Sequence, residues 1–475
     1  MTDLDLCYLS ATEALAAFKA RTLSPVELMR ALIARAEAVE PTLNALPMTY
    51  YERALDQARA AEARYMKTDG RPRPLEGIAV AIKDETELKG EITTGGSLIY
   101  KDHRDEADAF IVERLRRAGA IFHARSAAPE FSCAAVTHSR LWGVTRNPWN
   151  PDYTPGGSSG GAGAALAAGT TTLANGSDIG GSIRIPASAC GVVGFKPPYG
   201  RVPQRGAFAF DYYCHEGPLA RTVTDCRLFE NLIAGPHPKD IASLKPKLRI
   251  PDRLGGIEGW KIACSIDLDY FEVDPEVRAN TERALAVFRD LGATVEPVAL
   301  GWTRATETAA FNHLGAIFGA YVKRNLRYRR FDMTDYARGF AEFSQTITTD
   351  ELFASMNVAS QMAEGLGPVL AKYHLLVCPT LAVPAVAADH DPYRRGFAIN
   401  GRPVDPYLGW CMTYPFNVMS RCPVMSLPSG FAASGVPTGI QLVGRSYDDV
   451  GVFRAAAAYE AAAPVLDWTT RRPSL

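Results

Sequence analysis

Apolar residues recur with two different periods along the chain, and the alternation between them predicts the architecture. Two early stretches repeat every three to four positions behind a capping box. Ser10 with Glu13 opens a helix over Ala11–Ala20, and Ser24, Pro25 and Glu27 open another that runs to about residue 40. A continuous apolar run, Ile78-Ala79-Val80-Ala81-Ile82, then ends at Lys83 between Gly77 and a charged stretch. That is the pattern of a buried strand whose C-terminal end emerges into a cleft, where α/β proteins place functional groups. Helical spacing returns over 106–118 and a strand-like run over 120–124. Helix, strand, helix, strand predicts an α/β fold, a large mixed sheet covered by helices on both faces.

The period is lost over 156–206, which holds 13 of the 40 glycines, many beside Ser or Thr. Such density marks backbone that closely approaches itself or a ligand. Residues 235–256, with Pro236, Pro238, Pro246 and Pro251, read as a connector. Alternation then resumes with a strand over 260–266, a helix over 275–291 and a strand over 293–298. Residues 303–405 show no clear period and many aromatics, and are expected to cover the cleft. Strands over 423–428 and 438–443 and a helix over 450–462 close the chain. No internal repeat interrupts this order, so the expectation is one domain over 1–475 with a compact core at about 75–225.

Composition narrows the partners. Lys and Arg total 51 against 52 for Asp and Glu, so no excess of charge invites nucleic acid or an anionic membrane surface. The first eight residues carry Asp3 and Asp5 where a signal peptide would be basic. The small-residue stretch 161–174 falls short of the ~20 residues that span a bilayer. Nine cysteines without a Cys-x-x-Cys pair fit reduced thiols in a cytoplasm and signal neither disulfides nor zinc. Eight histidines without a His-Glu-x-x-His pattern complete the expectation of no metal and no cofactor.

The glycine-rich region contains two framed serines: Thr154-Pro-Gly-Gly-Ser158-Ser-Gly-Gly161, and Asp178-Ile-Gly-Gly-Ser182-Ile-Arg184-Ile-Pro186. Three explanations compete: polar connecting loops, an anion nest of backbone N–H groups, and covalent acyl transfer. Neither phosphate-loop fingerprint is present. Gly156-Gly-Ser158-Ser-Gly160 matches a nucleophile elbow, but Asn147-Pro-Trp-Asn-Pro-Asp before it cannot be the strand an elbow requires. For acyl transfer, a serine hydroxyl needs a neighbouring base, and no histidine accompanies these motifs. Lysine serves when burial lowers its pKa from ~10.4 towards neutrality, and Lys83, at the end of its apolar run, is the natural candidate.

These residues resemble the amidase signature hydrolases, which use a Ser–cis-Ser–Lys triad. The matching stretches are Ala81-Ile-Lys83-Asp84, Thr93-Thr-Gly-Gly-Ser97, Gly143-Val-Thr-Arg-Asn147-Pro-Trp149, the two serine motifs, Gly217-Pro-Leu-Ala-Arg221 and Gly439-Ile-Gln-Leu-Val443-Gly. The resemblance covers essentially the whole chain and implies the amidase signature fold. It makes Ser182 the nucleophile, Ser158 the cis-peptide serine, Lys83 the terminal base, and the N–H groups of Ile179, Gly180 and Gly181 the oxyanion hole. Asp178 and Arg184 are then expected to form an ion pair that supports the loop.

For the substrate, the resemblance leaves two enzyme classes and a distant third possibility, a non-enzymatic anion-binding module. One is a stand-alone amidase, monomer or homodimer, acting on a small apolar or aryl carboxamide, anilide or carbamate, urethanes included. The other is the A-type glutaminase subunit of a glutamine-dependent tRNA amidotransferase. Those subunits carry an aspartate where Trp410 falls in Tyr407-Leu-Gly-Trp410, and an indole there suits either an apolar pocket or core packing. Cys133 aligns with a pocket-lining position, or is a small buried hydrophobe. Glu85 departs from the family's usual Lys-Asp-Asn and changes a charge close to the triad.

Overall fold

The computed structural model describes residues 2–393 and 395–475; Met1 and Arg394, the latter inside the expected cover, lie outside the described residues. Both early helices form, over Ala11–Ala20 and Pro25–Leu43, each behind the capping box legible in the sequence. The second ends at Asn44 in a left-handed conformation, φ 52°.

Eleven strands build one sheet. In chain order they are β1 Met48–Thr49, β2 Ala79–Lys83, β3 Ile121–Ser126, β4 Leu173–Asp178, β5 Val193–Lys196, β6 His215–Ala220, β7 Lys261–Cys264, β8 Thr294–Pro297, β9 Leu375–Pro379, β10 Val424–Phe431 and β11 Pro437–Gly444. Their spatial order is β1-β3-β2-β4-β6-β5-β10-β11-β9-β7-β8. The sheet is mixed: β2 runs parallel to β3 and β4, whereas β4 with β6 and β10 with β11 are antiparallel. Every residue of β2, β3 and β9 is buried. Successive side chains point to opposite faces, so both faces of the sheet are covered there, as continuous apolar runs require.

Two elements differ from expectation. The helix expected over 106–118 begins later, as Phe110–Ala118. The span 303–405, expected as a cover without clear period, is regular in large part. It contains helices Ala305–Leu314, Asp335–Phe343 and Thr349–Lys372, and its strand β9 pairs with β11 and β7 inside the sheet. The long helix has its own capping box, Thr348 with Glu351. Gly365, Gly367 and Pro368 broke its apparent period, and Gly365 is there because a Cβ would fall 2.1 Å from the Leu300 carbonyl oxygen. Among the described residues of this span, those that line the cavity at Ser182, namely Leu314, Phe318 and Phe340, come before that helix, and hydrogen bonds fasten this part down. The Thr334 N–H donates to the Glu130 carboxylate at 2.5 Å, and the Tyr336 hydroxyl donates to the His138 carbonyl at 2.7 Å. Among the described residues no helix is long and apolar enough to cross a membrane.

Candidate active site

Lys83 is the last residue of β2 and its side chain has no exposure. The neighbouring strand fixes its backbone, the Asn175 amide oxygen accepting the Lys83 N–H at 2.9 Å. The Asp84 carboxylate, which accepts the Thr94 N–H at 2.9 Å and the Trp142 indole N–H at 3.0 Å, ties down the residue after it. From this anchored position Lys83 Nζ lies 2.7 Å from Ser158 Oγ. The Gly157–Ser158 peptide is cis. Gly157 has no alternative there, because a Cβ would lie 2.6 Å from both N and O of Val136.

Ser182 comes from the loop that follows β4. Its carbonyl accepts the Ser159 N–H at 3.2 Å, which joins the two serine loops, and its side chain lines a cavity. Among the described residues no hydrogen bond links the Ser158 and Ser182 hydroxyls. The contact that is formed is Lys83 to Ser158, and hydrogen bonds of this kind commonly tighten only when substrate binds.

Asp178 and Arg184 form the expected pair, with neither side chain exposed. Nη2 of Arg184 donates to Oδ1 at 2.8 Å and Nε to Oδ2 at 3.0 Å. Arg184 also donates to Thr413 O, Gln441 Oε1 and Asn417 Oδ1 at 2.7–2.9 Å, so its fork is fully used. Burial alone would raise the Asp178 carboxyl, but the Arg184 charge and hydrogen bonds outweigh it and hold the group well below the usual carboxylate range.

This pair corrects the expected donor set. The Gly181 N–H donates to Asp178 Oδ1 at 2.9 Å and is therefore spent. Gly181 adopts φ 126°, with the position of a Cβ 1.9 Å from Thr413 Oγ1. Among the described residues no protein acceptor takes the N–H of Ile179, Gly180 or Ser182, which leaves these three beside the Ser182 hydroxyl. The Thr413 hydroxyl braces the loop by donating to Gly180 O at 2.7 Å.

Ser132, Cys133, Ala134, Ala135, Ile179, Gly180, Ser182, Ile185, Leu314, Phe318, Phe340, Tyr407 and Leu408 line the cavity, whose volume is about 40 Å³. None bears a formal charge. Cys133 is therefore at the cavity, its carbonyl accepting the Tyr407 hydroxyl, and burial pushes its thiol well above the ordinary value. Trp410 is a correction: it is fully buried, and Tyr407 and Leu408 line the cavity in its place. The Trp410 indole N–H donates to the Pro406 carbonyl at 3.1 Å, and its own carbonyl accepts the Ala382 N–H at 2.9 Å, so the loop folds the ring into the core.

Sequence reasoning missed Ser177 and Glu216, cross-strand partners on β4 and β6, and the aromatic wall of Phe318 and Phe340. Ser177 Oγ lies 2.9 Å from Lys83 Nζ, and Glu85, noticed only as a changed charge, has Oε1 2.9 Å from the same atom. The one available signal for Ser177 was its position a single residue before Asp178.

The family model described as Amidase matches residues 27–453. An acylamidase from Rhodococcus erythropolis is 34% identical, with 100% of this chain and 99% of that protein covered. The A-type subunit of the glutamyl-tRNA(Gln) amidotransferase of Chloroflexus aurantiacus is also 34% identical, with 100% of both chains covered. Among solved structures, a bacterial aryl acylamidase of the amidase signature enzymes superposes with a TM-score of 0.90 at 32% identity, covering 96% of each chain.

Proposed function

The chain belongs to the amidase family, enzymes that act on amides, and from that premise we propose that it hydrolyses the C–N bond of a small, largely apolar carboxamide, anilide or carbamate through a seryl acyl-enzyme, acting without partner subunits. The observation that carries this reading is the uncharged lining of the cavity at Ser182. Free glutamine would bring an ammonium and a carboxylate to walls that, among the described residues, offer no charged partner for either, and unpaired buried charge is costly. That weighs against the glutaminase reading, which the similarity to A-type amidotransferase subunits favours. The lysine and two serines drawn together weigh against an anion-binding module.

In this mechanism Lys83, as the neutral amine, takes the Ser158 proton while Ser158 takes that of Ser182. The Ser182 oxygen bonds to the carbonyl carbon, and the displaced electron pair settles on the carbonyl oxygen, facing the N–H groups of Ile179, Gly180 and Ser182. Collapse breaks the C–N bond, and the leaving nitrogen takes the proton back through the same relay. Water then repeats the attack, releasing carboxylate and restoring the Ser182 hydroxyl. At about 40 Å³ the cavity is well below the ~150 Å³ that accommodates benzene. An aryl group is therefore admitted by displacing the side chains of the aromatic wall.

The test is release of nitroaniline from simple acyl nitroanilides by the purified chain, beside Ser182→Ala and a glutamine-to-ammonia assay. The expected result is anilide turnover that falls at least about 10⁴-fold in the variant. Ammonia release from glutamine with no anilide turnover would overturn the reading in favour of a glutaminase.

A further inference from the structure

Three protein atoms surround Lys83 Nζ within hydrogen-bond distance: Ser158 Oγ at 2.7 Å, Ser177 Oγ at 2.9 Å and Glu85 Oε1 at 2.9 Å. Their roles are constrained. An ionised carboxylate only accepts, and the Ser177 hydroxyl donates to Glu85 Oε1, so both oxygens present lone pairs to Nζ from the same side and draw an N–H of the amine towards them. A neutral amine has a single lone pair, and with an N–H turned to that side the lone pair is free to face the Ser158 hydroxyl.

We propose that Glu85 is a positioning residue for the base: together with Ser177 it holds an N–H of the Lys83 amine on the side away from Ser158, turns the lone pair towards Ser158, and stabilises the ammonium formed when the proton arrives. This rests on the relay set out under the proposed function. It extends that relay by a carboxylate placed where it orients the base and balances its charge.

The surrounding groups leave Glu85 as the negative charge of this cluster. Burial alone would raise its carboxyl, but the Lys83 charge and the Ser177 hydroxyl outweigh it and hold the group below its ordinary value. Glu216, from β6, faces both residues. Burial and the Glu85 charge push its carboxyl up to about 8, so it is mostly neutral near pH 7. Cys214 and Tyr321, the other titratable groups near Glu85, are raised by burial and stay neutral. Asp84, next in sequence to Lys83, turns away to Thr94 and Trp142.

The charge acts in two opposing directions, which makes the idea testable. In the free enzyme it attracts the positive charge of the protonated base; during attack it stabilises the ammonium being formed. With an acyl nitroanilide as probe, Glu85→Gln is expected to lower plateau kcat by about tenfold to a hundredfold. It is also expected to move the acid limb of the kcat/KM profile to lower pH by about one unit or more. A purely structural role would lower activity without moving the limb, so a limb that coincides with the parent's, or an undiminished plateau, overturns the proposal. Ser177→Ala provides a second test should Glu85→Gln fail to fold. It keeps the charge, so the plateau falls about tenfold with the limb in place, and an undiminished plateau again overturns it. Ser182→Ala in the same assay separates the two ideas. Turnover retained there refutes the relay itself, whereas an inactive Ser182→Ala with an unmoved Glu85→Gln limb refutes only the role of Glu85.

Discussion

The Gly181 N–H donates to the Asp178 carboxylate at 2.9 Å, and the same carboxylate is gripped by Arg184 with both side chains wholly buried. One ion pair therefore shapes the loop that carries Ser182 and decides which backbone donors stay open beside it.

Breaking the pair from either side has an expected cost. Arg184→Met leaves the buried Asp178 charge uncompensated and is expected to destabilise the fold by about 3–5 kcal/mol. Denaturant unfolding measures this, and a loss within ~0.5 kcal/mol would show the pair to be dispensable. Because the Asp178 carboxyl is held below its unfolded value, the contribution is complete above that value and is lost only as pH falls into the acid range. In Arg184→Met burial is no longer opposed and raises the Asp178 carboxyl above its unfolded value, so the destabilisation should grow as pH rises above the unfolded carboxylate value.

Gly181→Ala tests the loop geometry. The new Cβ would fall 1.9 Å from Thr413 Oγ1 at a backbone φ of 126°, and Thr413 in turn braces Gly180. Displacing these donors is expected to lower kcat by about 10²-fold with little change in KM. Parent-like kcat in a folded variant would mean that this loop does not stabilise the transition state.

Phe318→Ala probes the aromatic wall. Removing the ring enlarges a cavity of about 40 Å³, so the kcat/KM ratio of a bulky to a small acyl nitroanilide is expected to rise about tenfold. The accompanying loss of stability is about 3 kcal/mol. An unchanged ratio would place the substrate elsewhere.

His123 gives the pH dependence of stability. It is buried on β3 with Nε2 2.9 Å from Thr171 Oγ1, and burial lowers it from 6.5 to about 4. The native state then holds fewer protons than the unfolded chain between those values, so stability falls as pH drops from about 6.5 to about 4. The shift corresponds to about 3 kcal/mol. Thermal unfolding of His123→Gln should show a shallower decline over that window, and an identical slope would assign the acid sensitivity to other groups.

Much of the framework was readable in order along the chain, because short-range rules set it. Capping boxes marked the helices at Ala11 and Pro25, and an unbroken apolar run marked β2 and placed Lys83 at its buried end. Strand β9 stayed hidden because its apolar run follows almost directly on the long helix Thr349–Lys372, whose period is interrupted by Gly365, Gly367 and Pro368, so no break marked where the strand begins. The start of the 110–118 helix was also misjudged, because helical spacing continued upstream into a segment whose backbone bonds lead elsewhere, as in Ala109 N–H to Glu87 O.

The amino-acid sequence by itself determined the alternation of helix and strand, the motifs of the two serines and the lysine, and the absence of a charge bias. All of these depend on neighbours a few residues apart. Only the tertiary structure decided that Gly181 spends its N–H on Asp178, that Trp410 turns into the core while Tyr407 faces the cavity, and that Glu85 and Ser177 converge on Lys83. The physical reason is that distant groups set even the short-range contacts: Thr413, Asn417 and Gln441 hold the Asp178–Arg184 pair and its loop, and Ser177 on β4 meets Glu85 and Lys83 at the end of β2. Which side chain meets which depends on strand order and register across the sheet, and on the direction in which each loop leaves it.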